Sequence, residues 1–254
     1  MPDQLVSKGV AWVTGAGSGL GRALARRLAQ DGWIVAASAR TARDIDSLAA
    51  EVPGRITSFQ LDVTDEKAAE ATGKLIEGTL GPVDLAIFSA GSYFPTTARD
   101  FSVANFRKTV DVNLMGTVNC MGPVVPSMVA RHGGHIAIMA SAAGYVGLPN
   151  AASYGATKAA LINMAEGFKP DFERYGVTLT VINPGYVRTP LTAKNTFPMP
   201  FLLDVEDAVD HIMRGLAASR FEIVFPWQVS LSMRLLASLP HWARFALTRR
   251  MLPR

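Results

Sequence analysis

The chain has 254 residues, of which 49% are hydrophobic and 18% charged, and a formal net charge of +4. This composition excludes an intrinsically disordered chain, and a single cysteine, Cys120, excludes a disulfide scaffold and a cysteine-based zinc site. Residues 227–254 contain five arginines and no acid, which leaves 20 basic and 21 acidic residues, a net charge of −1, over residues 1–226. The basic character therefore belongs to the C-terminal tail and not to the body of the protein.

Short apolar runs alternate with longer segments of helical periodicity along the chain. The predicted strands span residues 10–14, 33–39, 55–60, 84–89, 135–140, 177–183 and 221–225, and the predicted helices span 19–31, 65–80, 102–131, 152–175 and 204–218. This alternation predicts βαβ units, and therefore an α/β fold with a mostly parallel sheet. We predict one domain over residues 5–226 and a C-terminal extension over residues 227–254.

The sequence shows no membrane-directing segment. No basic and apolar leader opens it, and no run reaches the ~18–20 apolar residues needed to cross a bilayer. Together with the single cysteine, this pattern predicts a cytoplasmic protein.

A glycine-rich segment, residues 14–21, follows the first predicted strand and leads into the first predicted helix. Glycines let the backbone turn sharply and approach a pyrophosphate closely, and the amino end of a helix attracts phosphate. This placement predicts a dinucleotide site with the spacing Gly-x-x-x-Gly-x-Gly. The residues expected to form it are Gly15, Ser18, Gly19, Leu20 and Gly21.

The end of the second predicted strand bears on the identity of the dinucleotide. A carboxylate there would accept a hydrogen bond from the ribose 2′-OH of NAD, whereas an arginine would pair with the 2′-phosphate of NADP. The strand ends in Ala39-Arg40, and the next acid is Asp44. We therefore favour NADP(H) over NAD(H), the alternative being that Arg40 is an ordinary solvated loop residue.

A predicted helix carries Tyr154 and Lys158 four residues apart, and so on one face. A nearby ammonium favours the phenolate and would lower the pKa of Tyr154, so that the phenol could exchange a proton with a substrate oxygen. Ser141 follows the predicted strand 135–140, at the end of the sheet where ligands bind in such folds. Asn113 lies within the predicted helix 102–131, where a polar amide without a surface role is unusual.

Several motifs follow one another in the order and spacing of a known family. They are Thr14-Gly15-x-x-x-Gly19-x-Gly21, Ser89-Ala90-Gly91, Asn113, Ser141, Tyr154-x-x-x-Lys158 and Asn183-Pro184-Gly185-Tyr186-Val187-Arg188-Thr189. Over about residues 8–226 the chain resembles the short-chain dehydrogenase/reductase family. The resemblance implies a single Rossmann-like, doubly wound domain whose seven-stranded parallel sheet has the order 3-2-1-4-5-6-7.

The same resemblance implies a role for each residue of the site. Tyr154 would be the acid/base, Lys158 would lower its pKa and hold the nicotinamide ribose, Ser141 would orient the substrate oxygen, and Asn113 would position a water of the proton relay. The cofactor would also contact Asp62 and Val63 at the adenine, Ser89, Ala90 and Gly91 after the fourth strand, and Pro184, Gly185, Val187 and Thr189 at the nicotinamide amide. Ser89 replaces the asparagine usual in the family, and this shortens the hydrogen-bonding side chain at that position.

The activity implied is the NADP(H)-dependent interconversion of a ketone or aldehyde and an alcohol, as in a carbonyl reductase. No metal is expected, because the four histidines are scattered. Residues 188–203 are expected to form a lid, and an apolar pocket would favour an apolar or lipid-like substrate. The side chains expected in that pocket are Phe197, Met199, Phe201, Leu202, Leu203, Tyr93, Phe94, Tyr145 and Tyr186.

A homodimer or homotetramer is implied, assembled through the predicted helices 102–131 and 152–175. An alternative from another class is a catalytically idle NADP(H)-binding regulator or scaffold recruited by its tail. The presence of the tyrosine, lysine, serine and asparagine together argues against that alternative.

The tail consists of two short amphipathic segments separated by Pro240, with arginines among leucines and tryptophans. It could pack on the body of its own or a neighbouring subunit. It could also lie at a membrane surface, where arginines meet anionic headgroups and tryptophans and leucines enter the acyl boundary. Nucleic acid is not an expected partner, since stacking aromatics and distributed basic patches are lacking.

Overall fold

The computed structural model describes residues 8–195 and 197–252. The first residues of the predicted domain, 5–7, and the last two of the tail, including Arg254, lie outside the described residues. In the described part of the chain, one large sheet with helices on both faces is followed by two short helices.

The sheet has seven parallel strands in the order β3-β2-β1-β4-β5-β6-β7, which confirms the predicted Rossmann-like topology. The strands are β1 Val10–Thr14, β2 Ile34–Ala39, β3 Ile56–Gln60, β4 Val83–Phe88, β5 His135–Met139, β6 Thr178–Pro184 and β7 Glu222–Phe225. The order reverses direction between β1 and β4, so the helices that follow these two strands lie on opposite faces of the sheet and a crevice forms at the carboxyl ends of the strands.

The helices are α1 Gly19–Gln30, α2 Ala42–Glu51, α3 Glu66–Leu80, α4 Val103–Val110, α5 Gly116–Ala130, α6 Ala152–Arg174, α7 Val205–Ala217, α8 Trp227–Ser238 and α9 His241–Arg249. Two differences from the predicted elements bear on the site. Helix α2 is not predicted by the sequence pattern, because Ile45 and Leu48 are its only buried residues and its apolar stripe is narrow. The predicted helix 102–131 is divided by a π-helical turn, Asp111–Met115.

Two apolar cores cover the two faces of the sheet. One contains residues of α1, α2 and α7, and the other contains residues of α3, α5 and α6. Trp12 of β1 is fully buried, and its indole N–H donates to Ser38 Oγ at 2.9 Å. Burial on both faces explains why the strands appear as continuous apolar runs in the sequence. Among the described residues, none of the helices combines the length and hydropathy needed to cross a membrane.

Candidate active site

The glycine-rich loop between β1 and α1 packs closely against the loop after β4. Gly15 has φ +69°, and a Cβ on it would lie 2.7 Å from the backbone nitrogen of Ala90. A Cβ on Gly21 would lie 2.4 Å from the carbonyl oxygen of Gly15. Larger residues at these two positions would therefore push the loop out of the crevice, which is the physical reason for glycine there.

The loop also presents the amino end of α1. Ser18 occupies the N-cap position without a capping hydrogen bond from its side chain. The side chain of Leu20 packs against the core, so Leu20 can bind a phosphate only through its backbone N–H. Unpaired N–H groups at this end carry the positive end of the helix dipole, so the loop suits an anion such as a pyrophosphate.

The loop after β4 is tied to β1. The hydroxyl of Thr14 accepts from the backbone N–H groups of Ser89 and Ala90, at 3.1 and 3.4 Å. The Ser89 hydroxyl lies near Gly21, 3.2 Å from the position of a Cβ on that glycine. The structure thus brings the predicted Ser89-Ala90-Gly91 segment against the glycine-rich loop, with serine in place of the usual asparagine.

A cavity of about 230 Å³ lies at the end of the crevice beside β2 and β3. It is lined by Arg40, Asp62, Thr64, Ala104, Arg107, Lys108, Asp111 and Val112. The predicted residues Arg40 and Asp62 therefore share one cavity, whereas Val63 is buried, with its side chain against Gly116. The sequence pattern does not indicate Arg107 and Lys108, because only the orientation of α4 turns these two cations toward the cavity.

A carboxylate also lies near this end of the crevice. A Cβ on Gly17 would lie 3.5 Å from Asp44 Oδ2, because α2 begins directly after β2 and places its first turn beside the loop. A cation, Arg40, and an acid, Asp44, therefore both lie at this end of the crevice.

Asn113 lies in the π-helical turn and is fully buried. Its Oδ1 accepts from the backbone N–H of Ser92 at 2.7 Å, and its Nδ2 donates to the carbonyl of Ser92 at 3.0 Å and to Thr157 Oγ1 at 3.1 Å. The amide therefore joins the loop after β4 to α6, one residue before Lys158. The wider π turn displaces Asn113 from the register of a regular helix.

Lys158 connects α6 with the sheet. Its side chain is buried, and Nζ donates to the carbonyl of Met139 at 2.7 Å. The same nitrogen lies 5.5 Å from the ring centroid of Tyr154 and 3.9 Å from the position of a Cβ on Gly91. Lys158 therefore stands between the loop after β4 and the phenol, where it can contact both a nucleotide ribose and Tyr154.

Ser141 caps the short 3₁₀ turn Ala142–Gly144 that follows β5. Its hydroxyl accepts from the N–H of Ala143 at 3.1 Å and donates to the carbonyl of Pro184 at 3.5 Å. The same hydroxyl is within hydrogen-bonding reach of Tyr154, to which it can donate instead of to Pro184. Ser141 and Tyr154 thus form a pair of hydroxyl groups at the carboxyl edge of the sheet.

The pKa values differ from the sequence-based expectation. Burial raises the pKa of Tyr154, and the hydrogen bond from Ser141 opposes this only in part. Burial also lowers the pKa of Lys158 from 10.5 to about 8. Any lowering of the Tyr154 pKa by Lys158 is thus opposed by burial in the protein alone, where the Lys158 ammonium donates to Met139.

The residues after β6 cross the glycine-rich loop. Pro184 ends β6, and the N–H of Gly185 donates to the carbonyl of Phe225 at 2.7 Å. Thr189 reaches α1, since its Cβ lies 3.4 Å from the position of a Cβ on Gly19. The buried Val187 pairs with Leu203 in an isolated β-bridge. The structure therefore brings the predicted Thr189 to the glycine-rich loop and Pro184 beside Ser141, whereas Gly185 packs against Pro226 and Val229.

The predicted lid, residues 188–203, is a loop whose two ends are held together by that bridge. The N–H of Arg188 donates to the carbonyl of Leu203 at 2.9 Å, and the N–H of Leu203 donates to that of Tyr186 at 3.0 Å. The rings of Tyr186 and Phe197 lie 6.1 Å apart, and those of Tyr93 and Tyr154 lie 5.4 Å apart, edge to face. Aromatic side chains thus border both the lid and the catalytic phenol, whereas Phe201 is largely exposed.

A polar cluster behind Ser141 was not predicted. The hydroxyl of Tyr145 donates to Glu222 Oε1 at 2.5 Å, and Asn183 Nδ2 donates to both of these groups at 3.0 Å. Arg234 of α8 forms an ion pair with the same carboxylate and lies over the ring of Tyr145. Glu222 is far from these partners in sequence, so no local spacing could have indicated the cluster.

The arrangement supports proton exchange with an oxygen atom. Two hydroxyl groups, from Ser141 and Tyr154, can bind one carbonyl or hydroxyl oxygen, and Tyr154 can give it or take from it a proton. Lys158 stabilises the phenolate that this exchange creates. The crevice built around glycine lies directly beside the pair, so a bound dinucleotide can reach the same oxygen-bearing carbon.

Comparison with known proteins agrees with this site. Residues 9–198 match the family model described as short chain dehydrogenase. A Myxococcus xanthus protein named an uncharacterized oxidoreductase is 36% identical over 234 residues, which cover 91% of this chain and 92% of that protein. A Staphylococcus epidermidis protein, also named an uncharacterized oxidoreductase, is 30% identical over 213 residues, covering 83% and 92% of the two chains.

Two solved structures are similar in fold. A short-chain dehydrogenase from Streptomyces avermitilis has a TM-score of 0.83 and 22% identity, and covers 94% of this chain and 98% of that one. An actinorhodin polyketide ketoreductase variant, described as solved with NADPH, has a TM-score of 0.78 and 23% identity, covering 85% and 95%. The family model spans most of the chain, and with the curated relatives it shows that this protein is an oxidoreductase of the short-chain dehydrogenase/reductase family.

Proposed function

We propose that the protein is an NADP(H)-dependent carbonyl reductase that interconverts a ketone or aldehyde and an alcohol. The observation that carries the proposal is the position of Gly91, which lies next to both Lys158 and Asn113 and so joins the nucleotide crevice to the catalytic helix. A dinucleotide bound along the crevice would end beside the hydroxyl pair of Ser141 and Tyr154.

The residues present fit such a cofactor, since its pyrophosphate would occupy space that a side chain at Gly15 or Gly21 would close. Lys158 would hold the nicotinamide ribose, and Thr189 would contact the nicotinamide amide. When bound, the nicotinamide supplies or accepts the hydride.

In the proposed reduction, Ser141 donates a hydrogen bond to the carbonyl oxygen and fixes its position. Tyr154 transfers its phenolic proton to that oxygen as negative charge develops there. The charge of Lys158 stabilises the resulting phenolate, and Asn113 holds Lys158 in place through its hydrogen bond to Thr157. In the reverse direction, the phenolate takes the proton from the alcohol.

The proposed substrate is apolar, because Tyr93, Tyr186 and Phe197 supply aromatic surface around the phenol and the lid. Apolar walls with a few convergent polar groups are typical of small-molecule sites. Substrates to be tried are therefore aromatic and long-chain ketones and aldehydes, with NADPH as the reductant.

A spectrophotometric screen of carbonyl compounds with NADPH, and of alcohols with NADP⁺, tests the proposal. We expect turnover with some apolar carbonyls, and Tyr154→Phe should reduce kcat by about 10²–10⁴-fold while leaving NADPH affinity unchanged. Tyr175→Phe, at the opposite end of α6, is the matched control. A Tyr154→Phe enzyme as active as the parent would overturn the assignment, and NADPH binding without turnover of any carbonyl would favour the non-catalytic regulator.

We further propose that the protein is a homo-oligomer. Large apolar side chains are exposed on or just before α4, α5 and α6, on the outer side of one helical layer: Phe101, Val103, Met115, Val118 and Phe168. Large apolar side chains exposed on neighbouring helices are typical of an interface between subunits. A reducing, cytoplasmic compartment remains our proposal, in keeping with a lone cysteine that is buried.

A further inference from the structure

Helix α8 presents an apolar stripe to solvent. Trp227, Leu231 and Leu235 recur every four residues and are 68%, 50% and 58% exposed. The opposite side of the same helix is buried, through Val229 and Leu236. Helix α8 is therefore fixed to the body by one face while its other face is apolar and exposed.

Helix α9 and the turn after it also expose apolar side chains. Trp242 and Phe245 are 77% and 51% exposed, and Met251 and Leu252 follow with about half of each side chain exposed. We call the exposed residues of the two helices and the turn after them the tail surface: Trp227, Leu231, Leu235, Trp242, Phe245, Arg249, Arg250, Met251 and Leu252.

The tail surface carries positive charge without compensation. Residues 227–254 contain no Asp or Glu. Arg249 and Arg250 are exposed, and in the described part of the chain neither has a carboxylate within ion-pair distance. Arg234, by contrast, is paired with Glu222 of β7 and holds α8 on the body.

The surface borders the substrate side of the site. A groove of about 370 Å³ separates α9 from Pro149 and is lined by Phe245, Thr248, Arg249 and Leu252. The next residue, Asn150, accepts at its carbonyl a hydrogen bond from the hydroxyl of Tyr93, whose ring packs on Tyr154. A short path therefore connects the tail surface with the catalytic phenol.

We propose that the tail surface docks on an anionic lipid bilayer. Tryptophans and leucines suit the boundary between headgroups and acyl chains, and the arginines suit anionic headgroups. A second copy seated on the same surface by two-fold symmetry would bring like-charged arginines together with no acid to pair them. The charge thus favours an anionic partner, and the large apolar side chains favour a lipid one.

Docking in this way would place the groove beside Pro149 at the bilayer. An apolar carbonyl dissolved in the membrane could then reach the site without crossing bulk water. This consequence rests on the proposed function, whereas the docking itself does not.

Vesicle flotation with the full chain tests the docking. We expect the protein to float with vesicles of phosphatidylcholine and phosphatidylglycerol, to remain unbound with phosphatidylcholine alone, and to dissociate as salt is raised. Leu235→Ser combined with Trp242→Ser, and separately Arg249→Gln combined with Arg250→Gln, should each weaken binding by about tenfold or more.

Matched controls make the same chemical changes elsewhere on the surface. Leu75→Ser removes an apolar side chain that is 59% exposed on α3, and Arg99→Gln with Arg174→Gln removes two exposed charges. These controls should bind vesicles as the parent does. Equal losses in controls and tail variants, or no binding of the parent to anionic vesicles, would overturn the proposal.

Two further measurements distinguish docking on lipid from self-association through the tail surface and from a loss of enzymatic activity. The molar mass in solution should be the same for the parent and the Leu235→Ser, Trp242→Ser variant, and a lower mass for the variant would overturn the proposal in favour of a second copy. Vesicle binding is measured without substrate, and NADPH oxidation with a water-soluble aldehyde should be unchanged in the tail variants. Failure of docking is thus distinguishable from failure of the proposed reaction.

Discussion

Lys158 is a lysine whose side chain is buried beside Tyr154. In the folded protein its ammonium loses its proton near pH 8, against 10.5 for an unperturbed lysine. Below pH 8 the folded state carries the whole cost of burying a charge, and this cost disappears as the pH rises from 8 to 10.5. The stability of the parent should therefore rise over that interval relative to a variant without the charge.

We expect Lys158→Met to be inactive but more stable at pH 7 than the parent, by about 1–3 kcal/mol, with the difference shrinking toward pH 10. Urea unfolding at pH 7 and pH 9.5 measures this. Lys74→Met, which removes an exposed lysine of α3, is the control for the loss of a lysine away from the site. A Lys158→Met protein that is less stable than the parent at pH 7 would show that the bond to Met139 outweighs the burial cost.

We propose that the choice of nucleotide depends on two side chains that lie at the same end of the crevice. Arg40 lines the cavity beside β2, and Asp44 approaches Gly17 from α2. If Arg40 binds the 2′-phosphate of NADPH, Arg40→Ala should lower kcat/KM for NADPH by about 10–100-fold. The kcat/KM for NADH should be nearly unchanged. Asp44→Asn serves as the matched variant and should not reduce the use of NADPH.

Activity measured with both nucleotides also shows whether the enzyme prefers NADPH or NADH. A parent enzyme that prefers NADH, and loses that preference in Asp44→Asn, would show that the acid reads a ribose 2′-OH and that the NADP proposal is wrong. Initial rates with both nucleotides at fixed carbonyl concentration measure the two ratios.

At the scale of elements, helix α8 is joined to the catalytic edge through one carboxylate. Glu222 accepts from Tyr145 and Asn183 and pairs with Arg234, and Tyr145 follows the 3₁₀ turn that Ser141 caps. Removal of this acceptor would leave the buried amide of Asn183 and the hydroxyl of Tyr145 without their shared partner. The tail and the segment after Ser141 should therefore loosen together.

We expect Glu222→Ala to lower the free energy of unfolding by about 1–3 kcal/mol and to raise KM for the carbonyl more than it lowers NADPH affinity. Urea unfolding and steady-state kinetics check the two effects. Glu166→Ala, at an exposed position of α6, is the control and should change neither. Unfolding of Glu222→Ala at the same urea concentration as the control would contradict the role given to the cluster.

The elements also show what could be predicted from the sequence. The glycine-rich loop and the pair Tyr154 and Lys158 are local motifs, and their positions follow once the βαβ order is known. The cations Arg107 and Lys108 depend on how α4 turns toward β2, and Glu222 meets Asn183 only because β6 and β7 pair. Interactions between distant segments of this kind leave no spacing in the sequence.

The π-helical turn could not be predicted from the sequence for a different reason. It adds a residue to one turn between Val110 and Gly116 without a proline inside it, so the sequence pattern predicts an uninterrupted helix. The rise in the pKa of Tyr154 on burial cannot be predicted from the sequence, because the spacing places an ammonium near a phenol but does not show that both are withdrawn from water.

At the scale of the whole molecule, two exposed apolar surfaces need partners of different kinds. The layer of α4, α5 and α6 exposes apolar side chains such as Val118 and Phe168. The tail surface has exposed arginines among its apolar residues and has no acid. Because pairing the tail surface with its own copy would bring its arginines together with no acid to pair them, we propose that the oligomer interface lies on α4–α6 and not on the tail.

If the interface lies on α4–α6, charged substitutions there should dissociate the oligomer, whereas a charged substitution on the tail surface should not. Val118→Glu combined with Phe168→Glu should give a monomer of 27.2 kDa, whereas the parent should have two or four times that mass. Buried like charges facing each other across the symmetric interface oppose association. Light scattering coupled to size-exclusion chromatography measures the mass. Leu231→Glu, the same kind of change on the tail surface, should retain the mass of the parent, and a monomer there would place the interface on the tail instead.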